Sequence, residues 1–271
     1  MRRFRVTVAC IVASVYVALA PAPAAAAPEI VTLPTRDGIT QSLLLIVPAE
    51  TKPAAFAILF PGGPGNLRLR RESDEIKFAP GNFLVRARQS FVDGGVGVAI
   101  IDTPSDEARG MDDRFRLSDK HAADVAAVVA ALKKRFDNVP VFLVGTSRGS
   151  VSAAAAGRAL GTEVSGVVLT SSVYLGARSG PGLSGFDFGR ISAPVLLVHH
   201  VEDSCFVTPY REARKLAESR RYPLISVNGG LPATSDACEA FSAHGYLGKE
   251  PETAAEIVKW MLKKPYRENI D

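Results

Sequence analysis

Gly145-Thr146-Ser147-Arg148-Gly149 limits what this chain can fold into more than any other stretch. The β-branched run at 139–144 precedes it, and the small-residue run at 150–156 behind it reads as helix. A strand that passes into a helix through so tight a turn holds its central serine in a strained backbone conformation. The hydroxyl then projects above the end of a sheet. Residues two places to either side come so near the turn that a side chain would clash, which accounts for Gly145 and Gly149. Ser147 is therefore a candidate nucleophile.

The rest of the chain supplies the sheet that such a turn needs. Residues 29–34 and 40–48 flank the turn signal Arg36-Asp37-Gly38 and read as an antiparallel hairpin. Continuous apolar runs at 54–60, 95–102, 164–170, 194–199 and 224–228 read as buried strands. Helices are expected at 82–92, 118–136, 208–220 and 250–263. In the second of these, Val125, Val128, Val129, Leu132 and Phe136 fall at helical spacing behind Ser118 as N-cap. Strands alternating with helices describe an α/β fold: a mostly parallel central sheet, an antiparallel N-terminal hairpin and helices on both faces. Residues 66–81 are charged and irregular, and residues 174–189 are rich in Gly and Ser. The latter occupy the place of a lid but are too few for a helical cap, so an open cleft with a minimal lid is expected.

The N-terminus stands apart from this pattern. Arg2, Arg3 and Arg5 precede an apolar stretch from 6 to 20 and the small-residue run 21–27, the three-part layout of a secretory signal peptide. A membrane anchor would need about 20 apolar residues and basic residues on the far side. The expectation is a signal over 1–26, with cleavage before Ala25 or Ala27, and one domain over 27–271, periplasmic or secreted and without stable membrane insertion. Removing three arginines and no acid lowers the formal charge from +4 to +1. With no aromatic-interleaved basic run, nucleic acid is excluded as an expected partner. Cys10 falls in the signal, which leaves Cys205 and Cys238 as an even pair in an oxidising compartment, and a disulfide between them is expected. No CxxC or HxxxH spacing accompanies them, so no metal is expected.

A serine hydroxyl needs a base, and the base needs an orienting acid. Of four histidines, His121 opens what reads as a surface helix, and His199 and His200 end a strand. His244, in a loop before the last helix, is the candidate base. The acid should follow a strand end between serine and histidine, which selects Asp203. Glu202 is the alternative, since shifting the strand end by one residue exchanges their directions. Asp187 and Asp236 do not immediately follow a strand. Backbone N–H groups for a developing oxyanion are expected from Arg148 and from the loop Pro61-Gly62-Gly63-Pro64-Gly65. The prolines there have no N–H, and Gly63 is preferred over Gly62.

With serine, acid and histidine in that order, the chain from about 28 to 264 resembles the α/β-hydrolase superfamily. The resemblance rests on the 145–149 elbow, Asp203, His244-Gly245 and the Gly62-Gly63 loop. Within it the chain is similar to small exported hydrolases with paired cysteines near the acid and histidine loops. It implies a serine hydrolase, carboxylesterase-like, acting on a small-molecule acyl substrate without a cofactor. The loop at 61–65 is also similar to that of proline iminopeptidases, although Pro61 stands where the superfamily usually has His. A non-catalytic binding protein on the same fold is the alternative of a different class.

Overall fold

In the computed structural model, which describes residues 26–271, the apolar runs line up as strands of one nine-stranded sheet. Strands β1 (Glu29–Arg36) and β2 (Ile39–Ile46) form the expected antiparallel hairpin, turning at Gly38 with φ of +65°. Strand β3 (Ala55–Phe60) is buried throughout. A small outlying hairpin follows, β4 (Arg70–Glu72) and β5 (Glu75–Lys77), inside the segment read as irregular. Next come helices α1 (Phe83–Arg86) and α2 (Arg88–Asp93), then strand β6 (Val96–Pro104). Helices α3 (Asp113–Arg116) and α4 (Asp119–Arg135) lead to β7 (Val141–Thr146) and α5 (Arg148–Leu160). The chain closes with β8 (Gly166–Thr170), β9 (Val195–His200), α6 (Tyr210–Arg220), β10 (Leu224–Val227), α7 (Glu250–Met261) and β11 (Asn269–Ile270).

The sheet order is β1-β2-β6-β3-β7-β8-β9-β10-β11, antiparallel at the hairpin and its junction with β6, and parallel from β6 onward. The carboxyl ends of β3, β7 and β9 therefore open on one edge, where crevices form in open α/β sheets. Side chains alternate across the parallel strands and feed two apolar cores. Ile58, Phe60 and Leu143 pack with Val125, Val128 and Val151 of α4 and α5 on one face. Leu59, Val144 and Val198 pack with Phe83, Phe91 and Ile257 of α1, α2 and α7 on the other.

Two expectations are corrected. The helix expected over 82–92 is broken at Ala87 into α1 and α2. A straight helix would spread Phe83, Leu84, Val85, Phe91 and Val92 over about 200° of its surface; the break lets all five be buried. His121 does not lie on a surface. It is 1% exposed, packed edge-on to Phe60 and tilted against Phe115. Ser118 caps α4 as expected, its hydroxyl accepting the His121 N–H. The expected signal falls outside the described residues, save Ala26. Among the described residues no helix is long and apolar enough to cross a membrane.

Candidate active site

Ser147 sits between β7 and α5 with φ of +69° and ψ of −122°, a strained conformation for a residue with a side chain. The two glycines of the motif are required by contact. A Cβ on Gly145 would lie 2.2 Å from the Gly149 carbonyl oxygen, and one on Gly149 would lie 1.9 Å from the Phe60 oxygen. The elbow thus seats β7 against α5 and against the end of β3.

His244 lies in a short turn, Ala243–Gly245, between β10 and α7. The turn is held from several sides: its N–H donates to the Ser242 hydroxyl, and its carbonyl accepts from Ser171 Oγ at 2.8 Å. Arg86, paired with Glu250, donates to Gly245 O at 2.9 Å. Gly245 admits no side chain, since a Cβ would lie 1.9 Å from Ala240 O. The Tyr246 hydroxyl donates to Val198 O and accepts from Ser171 N, which fastens the turn to the ends of β8 and β9.

Asp203 follows β9 and is buried. Its Oδ1 accepts the Cys205 N–H at 3.0 Å, and its Oδ2 accepts from Thr208 Oγ1 and from His244 Nδ1, each at 2.9 Å. His199 Nε2, which donates to Thr208 O, lies 3.4 Å from the same oxygen. Burial opposes ionisation of this carboxyl, but hydrogen bonds from His199 and His244 outweigh it and hold its pKa well below the ordinary range. On the other side of the imidazole, Ser147 Oγ donates to His244 Nε2 at 3.0 Å. The three residues form one run of hydrogen bonds from hydroxyl to carboxylate. In such a run the imidazole can take the hydroxyl proton while the carboxylate orients the ring and stabilises its charge. Glu202 is exposed, its N–H bound to His200 Nδ1, and Asp187 and Asp236 are exposed as well.

The run opens on a cleft of about 690 Å³ lined by the Gly62-Gly63 loop, Arg148, Phe206 and Phe241. The 174–189 segment carries no α-helix, only turns and the short 3-10 stretch Phe188–Arg190, and leaves the cleft open.

A family model described as serine aminopeptidase, S33, matches residues 89–221, a span that takes in Ser147 and Asp203 and stops before His244. No curated protein matches the chain in sequence. Several solved structures are similar in fold. Est1E from Butyrivibrio proteoclasticus is 16% identical, with a TM-score of 0.57 over 87% of this chain and 99% of that one. XC6422 from Xanthomonas campestris, described as an α/β serine hydrolase without lid, is 14% identical, with a TM-score of 0.57 over 87% and 94%. The esterase domain of a Rhodothermus marinus protein is 16% identical, with a TM-score of 0.54 over 87% and 96%. The chain has the fold of the α/β hydrolases.

In this chain Cys205 and Cys238 form a disulfide. It joins the loop that carries Asp203 to the segment that leads to His244. Asp203, Cys205 and His244 come within 4.8 Å of one another, but the sulfur is committed to the disulfide and is not a thiolate ligand. The Arg148 N–H lies in the first turn of α5, outside the helix's own hydrogen-bond ladder. Gly62 packs so closely that a Cβ would lie 2.9 Å from Ser147 Cβ, and Gly63, with φ of +58°, lines the cleft beside it. Thr208, His199 and Ser171 support the acid and the imidazole without having been foreseen. Ser171 meets the His244 turn from a segment far away in sequence, whereas His199 and Thr208 lie four and five residues from Asp203 in a stretch with no recognisable motif.

Proposed function

We propose that this protein is an exported serine hydrolase that cleaves a carboxylic ester, or a related acyl bond, through a Ser147-His244-Asp203 triad. The observation that carries the reading is the unbroken run of hydrogen bonds from Ser147 Oγ to Asp203, at 3.0 and 2.9 Å, beside an open cleft. His244 takes the hydroxyl proton as Ser147 Oγ bonds to the acyl carbon. The carbonyl oxygen becomes an alkoxide received by the N–H groups of Gly63 and Arg148. Collapse expels the alcohol, which leaves with the proton from His244, and water repeats the sequence to release the acid and free Ser147. Asp203 orients the ring and stabilises the imidazolium throughout. The N-terminal layout and the disulfide both support export to the periplasm or beyond.

A second reading, removal of an N-terminal amino acid, is favoured by the family description and by Pro61-Gly62-Gly63-Pro64-Gly65. Such a substrate carries an ammonium beside the scissile bond. Among the described residues the cleft lining presents Arg68 and Arg109, beside an Arg148 that is paired with Asp113, against the single carboxylate of Glu239, which suits an ammonium poorly and supports the ester. Short-chain 4-nitrophenyl esters and aminoacyl 4-nitroanilides, run side by side on purified mature protein, test the choice. Saturable ester turnover that exceeds nitroanilide turnover is expected. Faster turnover of the nitroanilides would replace the ester with the amide, and turnover of neither would count against hydrolysis altogether.

A further inference from the structure

Helix α3 has four residues, three of them charged, yet two of those charged side chains are buried between the oxyanion loop and the elbow helix. Asp113, with no exposed side-chain surface, pairs with the Arg148 guanidinium and accepts the Gly182 N–H at 2.7 Å. Arg116 is 1% exposed, and among the described residues no carboxylate pairs with it. Burying an unpaired guanidinium is costly unless its donors are used. Here Nη1 donates to Ser152 Oγ at 2.7 Å and Nη2 donates to Gly63 O at 3.0 Å, while Nε is buried without a partner among the described residues. The space is cut to fit this group: a Cβ on Gly65 would lie 2.7 Å from Nη2. Burial pushes the Arg116 pKa down to about 10, so the group stays charged at neutral pH.

Both carbonyls that flank residue 63 are therefore held. Gly62 O accepts the Gly65 N–H at 3.2 Å, and Gly63 O accepts from Arg116. A trans peptide points its N–H opposite to its carbonyl, so holding Gly62 O also sets the direction of the Gly63 N–H. Pro64 has no N–H, which leaves Gly63 O as the hydrogen-bonding group of the next peptide. Ser152 lies one helical turn beyond Arg148, whose N–H is the other proposed donor.

We propose that Arg116 is a positioning residue for the oxyanion hole: it ties the Gly63 carbonyl to Ser152 on α5 and so fixes the two receiving N–H groups relative to each other. This rests on the reading of Ser147 as nucleophile given above. The tie is formed before substrate arrives, and its effect falls on the transition state, where the oxygen carries charge.

Kinetics of Arg116→Met, Arg116→Lys and Ser152→Ala on a 4-nitrophenyl ester test the proposal, together with inhibition by a trifluoromethyl ketone whose adduct places an oxyanion in the hole. Arg116→Met should lower kcat about 10- to 100-fold with KM changed by no more than about 2-fold. Affinity for the ketone should fall by the same factor as kcat. Lysine keeps a donor for Gly63 O and should recover part of the loss. Ser152→Ala, which keeps the guanidinium but frees Nη1, should show a smaller loss with the same split, and it carries the test if Arg116→Met does not fold. A folded variant with wild-type kcat, or a loss that falls on KM with ketone affinity unchanged, overturns the proposal. A wild-type protein that turns over esters and forms a fluorophosphonate adduct confines that failure to Arg116. A wild-type protein that does neither overturns the hydrolase reading and this inference with it.

Discussion

Replacing Cys205 and Cys238 by serine removes a bond that spans 33 residues of chain. In the chain-entropy relation a loop of that size stabilises the folded state by about 3–4 kcal/mol. At about 2–4 °C per kcal/mol for a chain of this size, the melting temperature should fall by about 6–16 °C. Activity should fail earlier than the fold, because the bond touches both sides of the Asp203–His244 contact. Cys205 donates its N–H to Asp203 Oδ1. On the other side, Ser242 Oγ donates within the Cys238 segment, 3.1 Å from Ala237 O and 2.9 Å from Glu239 O, and the same oxygen accepts the His244 N–H. The elbow depends on neither loop. Circular dichroism melts and ester hydrolysis measured across the same temperatures should therefore separate, with the rate of the double variant falling below the wild type while its helix signal is still native. Non-reducing intact mass with thiol alkylation checks the bond itself. Unchanged melting and rate profiles, or two freely alkylated cysteines in natively exported protein, would refute the reasoning.

Asp203→Asn should leave the imidazole in place but favour the wrong tautomer, cutting kcat by about 10⁴-fold, whereas exposed Glu202→Gln should be mild; the reverse ranking in steady-state kinetics would move the acid to Glu202. His121 should make the fold acid-sensitive. Burial first, then the charges of Arg116 and Arg36, push its pKa from 6.5 down to about 3. The unfolded chain then binds a proton that the folded chain refuses, so stability is full above about pH 6.5 and is lost as pH falls toward 3, by an amount on the order of a few kcal/mol. Urea unfolding at pH 7, 5 and 4 should show this slope in the wild type and a flatter one in His121→Leu; equal slopes would remove His121 as the cause.

The elbow was legible because it is a backbone constraint: only glycine fits beside β3 and α5 at 145 and 149, and the sequence must show it. Asp203 and His244 were legible through strand ends and chain order. His121 was misread although its own helix carried the correction. It lies four residues before Val125 and seven before Val128, on the buried stripe, and Asp124 lies four before Val128. Asp124 is buried too, meeting Thr35 and Arg36 of β1. Partners account for the burial of Asp124, whereas both ring nitrogens of His121 lack one among the described residues and its ring is held by packing against Phe60 and Phe115. Helix α3 was invisible for another reason. Asp-Arg-Phe-Arg has no apolar period, and its place is set by what Asp113 and Arg116 bind, not by a core face. The two-residue β11 is ordered by pairing with β10 and is too short to show a pattern.

The central claim is that Ser147 is a nucleophile activated by His244, and covalent labelling tests it most directly. The mature protein is incubated with a fluorophosphonate, and its intact mass and peptide map are measured alongside Ser147→Ala and His244→Ala. One phosphonyl group is expected on the peptide that carries Ser147, with no adduct on Ser147→Ala and labelling of His244→Ala slowed by orders of magnitude, on the scale of 10³ or more. Labelling at another residue, or equal labelling of folded Ser147→Ala, would contradict the account.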